Sequence, residues 1–315
     1  MKKLRLFSLG VSLALAVSAS AGKQITLTDI TKGEFRSKSI SAVYPLADGE
    51  TYAQISSDGK QIVTYSFKTG KQVGVLFDAA TARGAEISEV DGYIMSPDGT
   101  RLLIQTNTKA IYRRSFTATY YIYSIRNNKL EPLSDGGPQQ TPVFSPDGNQ
   151  IAFVRDNNIF LVKLLYDNAE SQVTKDGKRN EVINGIPDWV YEEEFSTNSS
   201  MVFTADSKQI LWIRYDESAV KQYSMQLFKG LKPTRTEFAE YPGDYTYKYP
   251  VPGQVNSKVS VWSYDIKSHQ TRKIDVPLGA EDYIPRIKAT SDPAKVAIRA
   301  SIWNTTSSPL RPTYF

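Results

Sequence analysis

Cysteine is absent from the 315 residues, which excludes disulfides, a lipid-bearing thioether and the thiol half of every zinc or cysteine-nucleophile constellation. Histidine is nearly absent: His269 stands alone in a polar Ser-His-Gln-Thr turn, the setting of a solvent-exposed residue rather than a general base. No G-x-S-x-G string occurs, so the nucleophile elbow is missing and no serine, histidine and aspartate triad can be assembled from this sequence. Metal chemistry has as little to build on. One histidine, no cysteine, and an acidic triplet at 192–194 without the D-x-D-x-D-G spacing of a calcium loop imply neither metal nor cofactor. Long apolar runs are confined to residues 6–17, too short to span a bilayer comfortably.

That run has a context. Lys2, Lys3 and Arg5 precede it and Ala19-Ser20-Ala21 follow, the pattern of a secretory signal peptide over residues 1–21 with an A-x-A cleavage site. A secreted, periplasmic chain is expected, membrane-anchored only where the leader stays uncleaved. The formal charge of +5 includes the three basic residues of the leader, leaving 35 basic against 33 acidic residues from Gly22 onward. Such a balance gives no support to a nucleic-acid partner. With 19 tyrosines and 13 phenylalanines against 4 methionines, the composition favours strands, and an all-β fold is expected.

A repeat gives that expectation a shape. Ser56-Ser57-Asp58-Gly59 recurs as Ser96-Pro97-Asp98-Gly99 and Ser145-Pro146-Asp147-Gly148, then more loosely as Thr204-Ala205-Asp206-Ser207 and at Ser291-Asp292-Pro293. Successive aspartates lie 40, 49, 59 and 86 residues apart. Each copy reads as a tight turn, in which aspartate bonds its own backbone and glycine takes a positive φ. A short apolar strand follows each of the first four copies, beginning near Gln61, Leu102, Ile151 and Ile210, and alternating strands begin near Tyr120, Asn158 and Val259. A period of 40–50 residues with several strands per unit is the mark of propeller blades. No helical period accompanies it, which argues against a solenoid; a β-sandwich reusing the same turn is the competing architecture. The stretched steps of 59 and 86 imply insertions, where binding surfaces are commonly built.

The first insertion carries Asp188-Trp189-Val190-Tyr191-Glu192-Glu193-Glu194-Phe195-Ser196. Asp188 follows a proline and is placed to cap a short helix. On a helical turn adjacent carboxylates can converge on one cation, whereas on a strand they point to opposite faces. A primary ammonium, with three donors and no acceptor, suits such a pair. The bland alternative is a solvated acidic helix face; against it stand Trp189, Tyr191 and Phe195, which anchor the segment on apolar surface.

These residues resemble a known family. DWVYEEEF at 188–195 is similar to the double-glutamate motif of dipeptidyl peptidase IV, a member of the prolyl oligopeptidase clan. Tyr112-Arg113-Arg114-Ser115-Phe116-Thr117-Ala118-Thr119-Tyr120 resembles the family segment carrying a substrate-contacting arginine, and Tyr249-Pro250-Val251-Pro252-Gly253-Gln254-Val255-Asn256 resembles its Y-P-x-x-G-x-x-N stretch. The similarity runs over 25–298. It implies an eight-bladed propeller covering an α/β-hydrolase domain, of which about five blades and a short helical insertion are present here as an incomplete β-propeller. It further implies that Glu193 and Glu194 hold the α-amino group of peptide N-termini (X-Pro or X-Ala), that Arg113 bonds a carbonyl near the penultimate residue, and that Phe195 and Ser196 line the side-chain site. No catalytic residue falls within the sequence on this reading.

The resulting layout is a leader at 1–21, a partial N-terminal propeller at 22–299 and a divergent tail at 300–315, read as following a premature stop or a fragmentary gene. An unclosed propeller leaves strand edges open, and poor solubility is expected. Implied partners are peptide N-termini and, beyond them, a dimer mate or a complementing catalytic domain. The competing function is a stand-alone periplasmic propeller acting as a binding or scaffolding module, which the acidic helix motif disfavours.

Overall fold

The computed structural model describes residues 24–37, 39, 42–227, 240–279 and 282–301, together with the backbone of 312–314. The leader assigned to 1–21 lies outside the described residues. Two compact units divide the chain at Val43. In the first unit a short helix α1 (Leu27–Lys32) opens on a capping box between Thr26 and Asp29 and closes on Gly33 in the left-handed region, φ 72°. This arrangement satisfies the orphan amides and carbonyls of so short an element.

From Tyr44 onward the described residues form successive antiparallel sheets. The first comprises β1 (Tyr44–Pro45), β2 (Thr51–Ile55), β3 (Gln61–Ser66) and β4 (Gln72–Asp78) in that order. The second takes β5 (Arg83–Gly84), β6 (Gly92–Met95), β7 (Arg101–Ala110), β8 (Phe116–Ser124) and β9 (Lys129–Pro132), ordered β5-β9-β8-β7-β6, with β5 parallel to β9. β10 (Gln140–Phe144), β11 (Gln150–Arg155), β12 (Asn158–Lys163) and β13 (Ala169–Gln172) make the third.

The fourth sheet is interrupted. β14 (Val182–Asn184), helix α2 (Trp189–Phe195), β15 (Met201–Phe203) and β16 (Gln209–Asp216) lead to a separate hairpin of β17 (Gln222–Leu227) and β18 (Gly243–Lys248), before β19 (Lys258–Asp265) and β20 (Gln270–Ile274) complete the sheet on β16. A fifth sheet holds β21 (Tyr283–Ala289), β22 (Val296–Ser301) and β23 (Pro312–Tyr314). The long aspartate spacings therefore correspond to α2 and the β17–β18 hairpin, and five principal sheets stand where about five blades are expected. β22 runs through Ser301, and Pro312–Tyr314 pairs with it.

The repeated turn is chemically the same in its first four copies. Ser56, Ser96, Ser145 and Thr204 donate their hydroxyls to Asp58, Asp98, Asp147 and Asp206 at 2.5–2.7 Å. The same hydroxyls accept the backbone N–H five residues on, from Gln61, Arg101, Gln150 and Gln209, at 2.9–3.1 Å. Gly59, Gly99 and Gly148 take φ near +70°, as does Ser207 at 61°. The last copy centres on Thr290, whose hydroxyl accepts from Asp292 N–H at 3.1 Å. A further copy without its serine occurs at 46–51, where Asp48 accepts from the amides of Glu50 and Thr51.

Packing is between sheets. Leu102 and Ile104 of β7 cluster with Ala53, Ile62 and Phe77 of the first sheet, whereas Leu103 between them clusters with Ile151, Phe153 and Val162 of the third. In β11 the roles repeat one sheet further on: Ala152 and Val154 join Ile210, Trp212 and Ile284. The period of two along a strand thus sends alternate side chains to the preceding and following sheet. Each large apolar side chain so buried contributes about 1.5–3 kcal/mol relative to exposure.

Candidate functional site

Three sequence segments far apart in the chain meet at α2. Asp188 caps the helix, accepting from Tyr191 N–H at 2.9 Å, and its other oxygen accepts from Ser257 Oγ at 2.5 Å. Burial pushes the Asp188 carboxyl up, against the hydrogen bonds from Ser257 and the helix amides. Residues 188, 191, 192 and 195 follow the i, i+3, i+4, i+7 spacing and so share the inward face. Tyr191 is almost wholly buried, its ring 4.9 Å from that of Tyr215 and 5.1 Å from that of Phe195. Its hydroxyl accepts the N–H of Ile284 at 3.1 Å, which ties α2 to β21. Arg286 donates to the carbonyl of Phe195, supplying at the helix C-terminus the cation that α2 itself lacks.

The tip of the β7–β8 hairpin also lies against α2, reached by Glu192 of this stripe and by Glu193 beside it. Ile111 N–H donates to Ser115 O at 2.8 Å and closes the tip. Arg113 Nε lies 2.9 Å from Glu193 Oε2; the arginine side chain is 71% exposed and the glutamate only 18%. Arg114 reaches the end of α2, donating from Nη2 to Ser196 Oγ at 3.0 Å, while Asn198 donates to the carbonyl of Arg114 at 3.3 Å. Glu192 is fully buried and accepts the N–H groups of Arg114 and Ser115 on one oxygen at 2.6 and 2.8 Å. The segment 249–257 closes the arrangement: the rings of Trp189 and Tyr249 are 4.2 Å apart, and Asn256 donates to Tyr283 Oη at 2.6 Å.

Of the residues singled out from sequence, Arg113 and Glu193 are joined directly. Glu194 is exposed and has no hydrogen bond or ion pair among the described residues. Phe195 turns inward, packing against Tyr191 and Tyr283. Ser196, in the left-handed conformation at φ 54°, ends the helix and binds Arg114. Sequence reasoning missed Glu192 and Arg114. The signal for Glu192 was available, since it stands four residues after the cap and one after Tyr191, on the stripe that must be buried.

A cavity of about 670 Å3 adjoins the hairpin tip, lined among others by Tyr112, Ser115, Asp188, Trp189, Glu217 and Tyr247. Glu217 is buried there, and its carboxyl is pushed up to about 7 by burial and then by Asp188, with Lys248 opposing. Arg113, Glu193 and Glu194 do not line this cavity.

The molecule is thus an all-β protein of successive blade-like sheets, with an acidic helix inserted in the fourth and an arginine from the second pressed onto it. Comparison with known proteins agrees with this description. The family model described as "Dipeptidyl peptidase IV (DPP IV) N-terminal region" matches residues 96–301. A probable dipeptidyl-aminopeptidase B of Podospora anserina is 34% identical over 286 residues, covering 82% of this chain and 30% of that protein. Its counterpart in Emericella nidulans is 35% identical over 285 residues, covering 84% and 30%. Among solved structures, the dipeptidyl peptidase 4 of Porphyromonas gingivalis superposes with a TM-score of 0.81 at 39% identity, over 88% of this chain and 38% of that one. The chain belongs to the dipeptidyl peptidase IV N-terminal region family and spans about 30% of the length of these curated relatives.

Proposed function

We propose that this chain is the substrate-recognition portion of a dipeptidyl peptidase IV-type serine exopeptidase, in which Glu193 and Glu194 receive the α-ammonium of a peptide's N-terminus. The observation that carries this reading is the state of the two carboxylates: Glu193 is mostly withdrawn from solvent and oriented by Arg113, and beside it Glu194 stands exposed and unengaged. Glu193 Oε2 faces Arg113, which leaves Oε1 open to a second donor. Arg113, 71% exposed, has N–H groups to spare for a carbonyl near the penultimate residue. Ser196 and Phe195 bound the helix end where the first side chain would lie.

Such a site measures length. An ammonium fixed at α2 sets how far along the peptide a distant nucleophile reaches, so the second peptide bond is the one presented and a dipeptide with proline or alanine at its second position is released. Cleavage itself falls to groups other than those of these 315 residues, which contain no nucleophile elbow. A periplasmic or extracellular setting, reached through the leader at 1–21, suits a protein that meets free peptides.

The test is binding by the 315-residue chain. Calorimetric titration with an X-Pro tetrapeptide and with its N-acetylated form should show a preference of roughly tenfold or more for the free amine, because a hydrogen bond to a charged partner contributes about 1.5–3 kcal/mol. Glu193→Gln and Glu194→Gln should each reduce that preference. Equal affinity for both peptides in the unsubstituted chain would refute the assignment.

A further inference from the structure

We infer that Glu192 is the positioning residue of the amine site, acting through the Arg113 turn and never touching the peptide. Its functional consequence rests on the amine-capture reading above, but its geometry does not. Residues 192, 193 and 194 are chemically identical and differ only in where α2 points them. Glu194 faces solvent, Glu193 faces Arg113, and Glu192 is buried to 0% exposure. A carboxylate withdrawn so completely is stable only where hydrogen bonds replace water. Both replacements come from one place: the backbone N–H groups of Arg114 and Ser115, at 2.6 and 2.8 Å on Oε1.

Those two amides immediately follow Arg113. A tip closed by Ile111 and Ser115 has no strand partner of its own, and without an external acceptor its amides would turn to solvent and carry Arg113 with them. Glu192 supplies that acceptor from the helix that bears Glu193. One residue therefore fixes the distance between two others, 78 residues from the turn it holds. Arg114 adds a second tie at the other end of the helix through Ser196 and Asn198, so the tip is held at both sides of Arg113.

The experiment uses the 315-residue chain labelled with 15N, observed without peptide. The Arg113 Nε–H signal and the amides of Arg114 and Ser115 are read in the unsubstituted chain, in Glu193→Ala as the reference for a released arginine, and in Glu192→Ala and Glu192→Gln. Glu192→Ala should speed exchange of the two amides by roughly tenfold or more and move Arg113 Nε–H to the position seen in Glu193→Ala. Glu192→Gln keeps an accepting oxygen and loses the charge. It should hold Arg113 in place while the two amides exchange severalfold faster.

Arg113 Nε–H unmoved in a folded Glu192→Ala chain would overturn the inference. Unchanged amide protection in Glu192→Gln would do the same, including where the alanine variant does not fold. Titration with the X-Pro tetrapeptide and its acetylated form supplies the functional arm. The free-amine preference should vanish in Glu192→Ala and survive in Glu192→Gln, and its persistence in Glu192→Ala overturns the inference. If the unsubstituted chain shows no preference, the amine-capture reading fails alone, and the Arg113 signal still decides the role of Glu192.

Discussion

Replacing Glu217 by glutamine should make the protein more stable at pH 8 and leave it nearly unchanged at pH 4. Glu217 is 6% exposed, and burial, followed by the charge of Asp188, raises its carboxyl from an ordinary 4.5 to about 7. Because the folded state holds the proton more tightly than the unfolded chain, the protonated form is the stable one. Stability from this group is highest below pH 4.5, declines as pH climbs from 4.5 to about 7, and is level above that. At about 1.4 kcal/mol per pH unit the full span is on the order of 3 kcal/mol. Glutamine matches the protonated form in shape and can still accept from Asn180 N–H, so the variant lacks the decline. Denaturant unfolding of both proteins at pH 4, 5, 6, 7 and 8 gives the difference directly, with other titrating groups cancelling between them. A difference that stays flat across that range would refute the argument, as would one that grows toward acid.

Ser145→Ala removes a fully buried hydroxyl that bonds Asp147 and satisfies Gln150 N–H. It should cost about 1–3 kcal/mol in denaturant unfolding, clearly more than Ser56→Ala at the half-buried equivalent turn. Gly185→Ala should destabilise by a similar amount, about 1–3 kcal/mol, because φ there is +79° and an added Cβ would meet Ile159 and Val154 side chains at 3.1 Å. Thermal melting of that variant is the check.

Much of the fold was legible because it rests on local chemistry. Asp58, Asp98 and Asp147 sit in turns whose hydrogen bonds close within six residues, so their spacing alone marked out the units. Asp188 was readable as a cap for the same reason. The turn at 46–51 escaped because Leu46 replaces serine and only Asp48-Gly49 remains of the pattern. The β17–β18 hairpin and the pairing of Pro312–Tyr314 with β22 depend on partners distant in sequence. At the candidate site the sequence shows three glutamates and an arginine but not which carboxylate meets which group. That is decided by the rotation of α2, fixed by Tyr191 against Tyr215 and by Ile284. The inward stripe of 188, 191, 192 and 195 nonetheless allows the rotation to be deduced, and with it the separate place of Glu192.

Dividing each strand's two faces between different neighbours has a consequence for how such a chain can change length. Deleting one residue ahead of Leu102 would hand Leu103's place to a neighbour and turn every later side chain of β7 toward the wrong sheet. Tolerated growth is thereby channelled into the joints between strands, and the lengthened joints here are the ones that hold the acidic helix and the β17–β18 hairpin. The same rule that makes the framework intolerant of a single missing residue leaves its connections free to acquire chemistry.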